Sequence, residues 1–253
     1  MKNLDCMPPI FPQNSDRQRN SFMGIRIISF TEKGIELSQR VTEVLGYDNV
    51  KLFTKCSVAK DKSILPMIRY VEESMGEWAE KQMTEKHVLL FIGACGIAVR
   101  AIAPYITDKL HDSAVLVMDE GGTYIIPILS GHVGGANEIA VKIAKEIDAI
   151  PVITTATNIN GKFAVDLFAK RNGLHIENKD GIAKVSSKVL AGKELHIAVE
   201  QGHLEENINI PEGIVLSEFW MSPERTADVV VTTQRGETGA LLTLKPKEYI
   251  LGI

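Results

Sequence analysis

The apolar positions along the chain change period several times, and each change marks an element. Ile25 to Phe30 is a short apolar run, the pattern of a buried strand. From Ile35 to Leu45 the apolar positions Ile35, Leu37, Val41 and Leu45 form one helical stripe. Lys51 to Phe53 predicts a short strand. Ile64 to Met83 has helical spacing (Ile64, Met67, Ile68, Val71, Met75, Trp78), with the charged run Glu80 to Lys86 as its solvated end. Val88 to Gly93 is apolar on both faces and predicts a central strand. Ile97 to Ala103 predicts a short helix stopped by Pro104. Ala114 to Asp119 and Thr123 to Ile128 predict two strands around Glu120-Gly121-Gly122. Asn137 to Ile147 predicts a helix on the stripe Ile139, Ala140, Ile143, Ala144 and Ile147, and Pro151 to Thr154 another strand.

Alternating strands and helices over residues 23–157 predict an α/β fold, a mostly parallel sheet with helices on both faces. Thr154 to Gly161 is polar and rich in turn formers, and it marks the expected boundary. Residues 158–253 then predict a smaller α/β or α+β domain. Its helices are Lys162 to Asn172, with Gly173 as C-cap, and Gly181 to Leu190. Its strands are Leu195 to Glu200, Gly213 to Ser217, Ala227 to Thr232 and Gly239 to Leu244, with loops such as Ser222 to Arg225 between them. Residues 1–22 lack apolar periodicity and read as a loose tail before a start at Met23.

Composition narrows the function classes. Of 253 residues 45% are hydrophobic, enough for a substantial core, and no apolar run is long enough to span a membrane. A formal charge of −4 argues against a general nucleic-acid binder. Cys6, Cys56 and Cys95 are scattered and odd in number, with neither disulfide nor zinc spacing, which fits a reducing, cytoplasmic setting.

Candidate chemistry concentrates between Phe91 and Asn137. Two Gly-rich turns, Gly93-Ala-Cys-Gly96 and Ser130-Gly131-His132-Val-Gly134-Gly135-Ala-Asn137, each follow an apolar run and lead into helical sequence. Such turns let the backbone approach a ligand, and the next helix offers unpaired amides. Ligands of parallel sheets sit outside the carboxyl ends of the strands, so both turns are expected there, on one site. His132 is a candidate general acid/base, weighed against a histidine that only bonds its own loop. Ser130 lacks the Gly-x-Ser-x-Gly context of a nucleophile and reads as a binding or helix-start hydroxyl. Asn137 reads as an N-cap. Glu138 satisfies the first turn or orients His132, and Asp119 or Glu120 is a candidate base beside the Gly-Gly turn. Arg100, Lys109 and Lys142 could balance ligand carboxylates. Cys95 reads as a small residue filling a tight turn, and Gly93-x-x-Gly96 is not the dinucleotide fingerprint.

Taken together, FIGACGIAVRAIAP, DKLHDSAVLVMDEGG, LSGHVGGANEIA and PVITTATN, in that order over Phe91 to Asn158, resemble the cobalt-precorrin-5A hydrolase family (CbiG) of anaerobic cobalamin biosynthesis. Lys162 to Leu244 is similar to that family's middle domain, with weaker motifs. Members commonly continue into a C-terminal domain, and the chain ends at Tyr249 to Ile253, about where that domain would begin. The resemblance implies a cobalt-tetrapyrrole substrate whose δ-lactone is opened by water, with a two-carbon fragment leaving as acetaldehyde. The cobalt comes with the substrate, so no protein cofactor or metal ligand is implied. The implied partners are a separate C-terminal-domain protein or neighbouring pathway enzymes, and neither nucleic acid nor membrane. In this setting His132 is the expected acid/base, assisted by Asp119, Glu120 or Glu138. Gly131, Gly134 and Gly135 form the expected amide cradle. Gly93, Gly96, Arg100, Lys109, Ser130 and Asn137 are expected to hold the substrate. Two alternatives remain open: a non-catalytic tetrapyrrole-binding half that needs a partner domain, and a phosphosugar-binding protein using Gly131 to Asn137 as a phosphate loop.

Overall fold

The computed structural model describes residues 24–61, 66–156, 162–200, 211–218 and 227–246. The expected tail 1–22, the loop Ser222 to Arg225 and the terminal Tyr249 to Ile253 lie outside the described residues. Two compact units divide between Ile153 and Thr154.

The first unit contains β1 (Ile25–Ser29), α1 (Glu32–Leu45), β2 (Val50–Thr54), β3 (Ile68–Tyr70), α2 (Met75–Thr84) and β4 (Val88–Ile92). It continues with α3 (Cys95–Ile102), β5 (Val115–Met118), β6 (Tyr124–Leu129), α4 (Ala136–Ile147) and β7 (Ile150–Pro151). The sheet order is β3-β2-β1-β4-β5-β6-β7. Every neighbouring pair is parallel except β5 and β6, which form an antiparallel hairpin.

Side-chain alternation explains the layers. Ile27, Leu90, Leu116 and Ile125 face α1 and α4 and bury Ile35, Val41, Ala140 and Ile143. Ile28, Leu89, Phe91, Val115 and Val117 face α2 and α3 and bury Trp78, Met83, Ala98 and Ile102. All five residues of β4 are buried, as a strand covered on both faces requires. Trp78 packs edge-on to Phe53 and Phe91, with ring centroids 5.4 and 5.8 Å apart.

One expected helix is two elements. Ile68–Tyr70 pairs with β2 at Leu52↔Ile68, whereas helical spacing predicted helix from Ile64 onward. The helix starts only at Met75, where Ser74 and Glu77 form a reciprocal capping box. Ile68 and Val71 are buried and so fit a helical stripe, but the chain reaches them as strand and loop.

Arg26 and His87, at the amino ends of β1 and β4, are buried polar groups. His87 Nε2 lies 2.8 Å from Arg26 Nη2 and 2.8 Å from Glu85 Oε2, and Nδ1 has no hydrogen-bond partner among the described residues. Burial lowers the His87 pKa, the Glu85 hydrogen bond raises it in part, and Arg26 lowers it further. The fold therefore favours neutral His87, while the unfolded chain takes up a proton near pH 6.5. This stability contribution is complete above about pH 6.5 and is lost as pH falls below it. Urea unfolding at successive pH values should show it: wild type loses more midpoint between pH 7.5 and 5.5 than His87→Gln. Equal losses would remove His87 from the account.

The second unit contains α5 (Val165–Arg171), β8 (Leu174–Ile176), α6 (Asp180–Leu190), β9 (Leu195–Val199), β10 (Ile214–Glu218), β11 (Val229–Val231) and β12 (Leu242–Pro246). Its sheet order is β10-β9-β11-β12-β8, parallel apart from the β12–β8 edge. The strand β8, only three residues between two helices, was not expected from the sequence. Gly173 ends α5 with φ +63°, the left-handed conformation expected of it. Asp228 ties the unit together, accepting from Lys188 Nζ at 2.6 Å and from the His196 amide at 2.8 Å.

Candidate functional site

The β5–β6 hairpin divides the candidate residues between opposite ends of the first sheet. β5 runs with β1 and β4, so Gly93 to Gly96 and Asp119 to Gly122 lie at their carboxyl ends. β6 runs back, so Ser130 follows it to the end where β1, β4 and β5 begin: Val115 pairs with Leu129. The expectation that both Gly-rich turns share one end is therefore incorrect. At about 3.3 Å per residue, the length of β6 separates the two groups by roughly 20 Å. Asp119 and Glu120 do not orient His132.

At the first end the groups serve the turns. The Gly93 amide donates to Met118 O at 2.8 Å, and a Cβ on Gly93 would sit 2.9 Å from the Phe30 ring. Arg100 Nη1 donates to Gly96 O at 3.1 Å, folding the guanidinium back on α3. Cys95, the first residue of α3, is exposed. Asp119 Oδ1 accepts from the Tyr124 amide at 2.6 Å and Oδ2 from the Gly121 amide at 3.1 Å. Glu120 Oε2 accepts from Thr31 Oγ1 at 2.8 Å, the same hydroxyl that caps α1 through the Gly34 amide. These carboxylates hold the Asp119–Tyr124 turn and meet the Thr31 cap of α1. Asp119→Ala should cost about 1–2 kcal/mol in urea unfolding by freeing two turn amides; an unchanged midpoint would contradict that role.

At the other end the Ser130–Asn137 loop is built from its own backbone. Ser130 adopts φ +52° and its hydroxyl donates to Asp112 O at 2.9 Å, which makes it an anchor. Gly135 N donates to His132 O at 3.1 Å, Ala136 N to Ser130 O at 3.3 Å and Asn137 N to Gly131 O at 3.0 Å. Gly135, with φ +82°, holds the cap position of α4, and Asn137 is a buried residue inside the helix, so the N-cap reading of Asn137 is corrected. Gly134 is required by space: a Cβ there would overlap Ser130 Cβ, and would lie 2.6 Å from Ser130 O and 3.2 Å from Ala114 Cβ. His132 is half-buried, and Glu138 is exposed in the first turn of α4, where its charge suits the helix dipole. Gly135 N is committed to His132 O, which removes it from the expected amide cradle, and Gly134 is buried.

Lys109 belongs with this group, on the Thr107–Asp112 loop that follows α3. Buried Asp112 holds that loop, its Oδ1 accepting from Thr107 N and Oγ1 at 3.0 Å each and from Asp108 N at 3.1 Å. Asp108, His111 and Asp112 were not singled out in the sequence. The Asp108/Asp112 spacing around a Lys-Leu-His core is the signal that could have found them. Among the described residues, no group of three or more His, Cys, Asp or Glu is placed to hold a metal ion, and no helix is long and apolar enough to cross a membrane.

Residues 77–158 match the family model for the N-terminal region of cobalamin synthesis G, and residues 163–241 match the one for the cobalamin biosynthesis central region. The chain belongs to the cobalamin synthesis G family. Similar curated proteins include the cobalt-precorrin-5A hydrolase of Priestia megaterium, 31% identical over 176 residues (70% of this chain, 46% of that protein). That of Salmonella typhimurium is 37% identical over 145 residues (57% of this chain, 39% of that protein). The chain thus spans about half the length, or less, of the curated relatives it matches. A crystal structure described as a cobalamin biosynthesis protein G homolog from Sulfolobus solfataricus shares the fold, with TM-score 0.50 and 22% identity, covering 89% of this chain and 61% of the other. In cobalamin synthesis G terms, both Gly-rich turns and the Thr107–Asp112 loop fall inside the matched N-terminal region.

Proposed function

We propose that this chain opens the δ-lactone of cobalt-precorrin-5A with water and releases acetaldehyde, giving cobalt-precorrin-5B, at the Ser130–Asn137 end of the first sheet. The observation carrying this reading is the half-buried His132 on a loop whose backbone is fixed by its own hydrogen bonds, within a chain whose relatives are named for this reaction. His132 takes a proton from the attacking water and returns it to the departing alkoxide oxygen. The Gly131 amide stabilises the oxyanion that develops on the lactone carbonyl. The freed alcohol then gives up its proton, its carbon–carbon bond to the macrocycle breaks with the electron pair passing into the conjugated ring system, and acetaldehyde leaves. Cobalt enters as part of the substrate.

Reaction in 18O-labelled water tests the acyl attack. The corrinoid product should carry one labelled carboxylate oxygen by mass spectrometry; an unlabelled product would rule out hydrolysis at the acyl carbon. A second reading keeps the binding without the chemistry: a tetrapyrrole-binding protein that needs a partner to complete the reaction. That reading predicts a shifted corrinoid spectrum without acetaldehyde until the partner is added.

A further inference from the structure

Among the described residues, three that are not glycine have a left-handed backbone: Lys86, Ser130 and Asp148. Two of them end helices. Lys86 follows the last turn of α2, its amide donating to Met83 O at 3.1 Å, and Asp148 caps α4, its amide donating to Ala144 O. Ser130 ends no helix. It follows β6 at φ +52°, where a Cβ crowds the neighbouring carbonyl and glycine would be unstrained. Two contacts hold it there. Ser130 Oγ donates to Asp112 O at 2.9 Å, and Asp112 is itself fixed, its Oδ1 accepting from Thr107 N, Thr107 Oγ1 and Asp108 N. On the other side Gly134 returns so closely that a Cβ there would overlap Ser130 Cβ, while Ala136 N donates to Ser130 O at 3.3 Å. Alanine at this position would keep the strain and lose the donor; glycine would lose both.

A strained residue persists where its surroundings over-determine it, and such residues gather where a site needs a defined geometry. Ser130 stands two residues before His132, and its φ sets the direction in which the loop leaves β6. We propose that Ser130 is a positioning residue for the His132 site: its left-handed backbone, latched through Oγ to Asp112 O, aims the turn from Gly131 to Gly135 and so orients His132, at some cost in stability. The one proton of the Ser130 hydroxyl goes to Asp112 O, so the residue acts through His132 and not on a substrate. The chemistry assigned to His132 rests on the reading given under Proposed function; the latch rests on the geometry above.

The test compares Ser130→Ala with Ser130→Gly in the full chain. Both lose the latch, and they differ only in the Cβ. At an ordinary backbone position glycine destabilises relative to alanine; at a left-handed one the order inverts. Ser130→Gly should therefore melt about 2–4 °C above Ser130→Ala. The second readout is the His132 Cε1–H resonance in protein labelled with 13C-histidine, identified by its loss in His132→Gln. Wild type should give one narrow signal, and both Ser130 variants a broadened or divided one. The third is acetaldehyde release from cobalt-precorrin-5A. Here kcat per folded protein should fall about three- to tenfold in both variants, the effect of one ordinary hydrogen bond, with KM unchanged. Should Ser130→Ala fail to fold, Ser130→Gly, free of the strain, carries the second and third readouts. An alanine variant that melts as high as the glycine variant would remove the strain and overturn the proposal. So would an unchanged His132 resonance, or wild-type kcat in both variants, either of which would reduce Ser130 to a structural anchor. The expected melting order and resonances in a chain whose wild type releases no acetaldehyde would sink the hydrolase reading and leave the latch standing.

Discussion

His132→Ala is expected to lower acetaldehyde release from cobalt-precorrin-5A by at least about 100-fold, the usual size of a lost general acid–base group, on the function proposed above. The reason is positional. His132 sits between Gly131 and Val133 in a loop that carries three backbone hydrogen bonds, Gly135 N to His132 O, Ala136 N to Ser130 O and Asn137 N to Gly131 O. Removing the imidazole leaves those three bonds in place, so the chain should stay folded while turnover falls. His132→Gln keeps a hydrogen-bonding side chain and should be as inactive as alanine, because an amide cannot carry the proton between water and alkoxide. A Gln variant retaining most of the activity would reassign His132 to binding. Asp119→Ala, by contrast, should lose stability without a comparable fall in turnover, because Asp119 lies at the other end of the sheet and bonds its own turn.

The second large effect is expected at Gly134. A methyl group there would overlap Ser130 Cβ and press on Ser130 O and Ala114 Cβ, all parts of the loop's base or of the strand start beneath it. Backbone cannot step aside as a flexible side chain can, so Gly134→Ala should cost about 1–3 kcal/mol of stability as an overpacked site. It should also move the Gly131 amide off the developing oxyanion, lowering turnover by about 10- to 100-fold beyond any loss of folded protein. Ser130→Gly in the same chain removes one of the colliding atoms and should recover part of both losses. Wild-type activity and melting in Gly134→Ala would show that the loop is not held as described.

Much of the fold was legible because its signals were long or redundant. The five apolar residues of β4 could only be a doubly covered strand, and all five are buried. The stripe Ile139, Ala140, Ile143, Ala144 specified both α4 and the face it buries. Short elements were not legible. Ile68–Tyr70 has apolar positions compatible with either period, and the capping box at Ser74 decided where the helix begins. Leu174–Ile176 is three residues long and gains its identity only by pairing with β12. The site was half legible. The Gly-rich loops were visible, but the rule that ligands gather at carboxyl ends was carried across a hairpin that reverses the strand. The Gly-His loop does follow the carboxyl end of β6, which with β7 runs opposite to β1, β4 and β5. That reversal moved Asp119, Glu120, Gly93, Gly96 and Arg100 to the opposite end from His132 and left Lys109 at the His132 end of the sheet. Asp112 was missed because its contribution is a set of side-chain hydrogen bonds to backbone, which no periodicity reports.

The most direct measurement is anaerobic acetaldehyde release from cobalt-precorrin-5A by the purified chain, read through coupled alcohol dehydrogenase with the corrinoid spectrum followed in parallel. The account predicts one acetaldehyde per corrinoid converted, abolished by heating the protein and by His132→Ala. A folded chain that yields neither acetaldehyde nor a change in the corrinoid spectrum would contradict it.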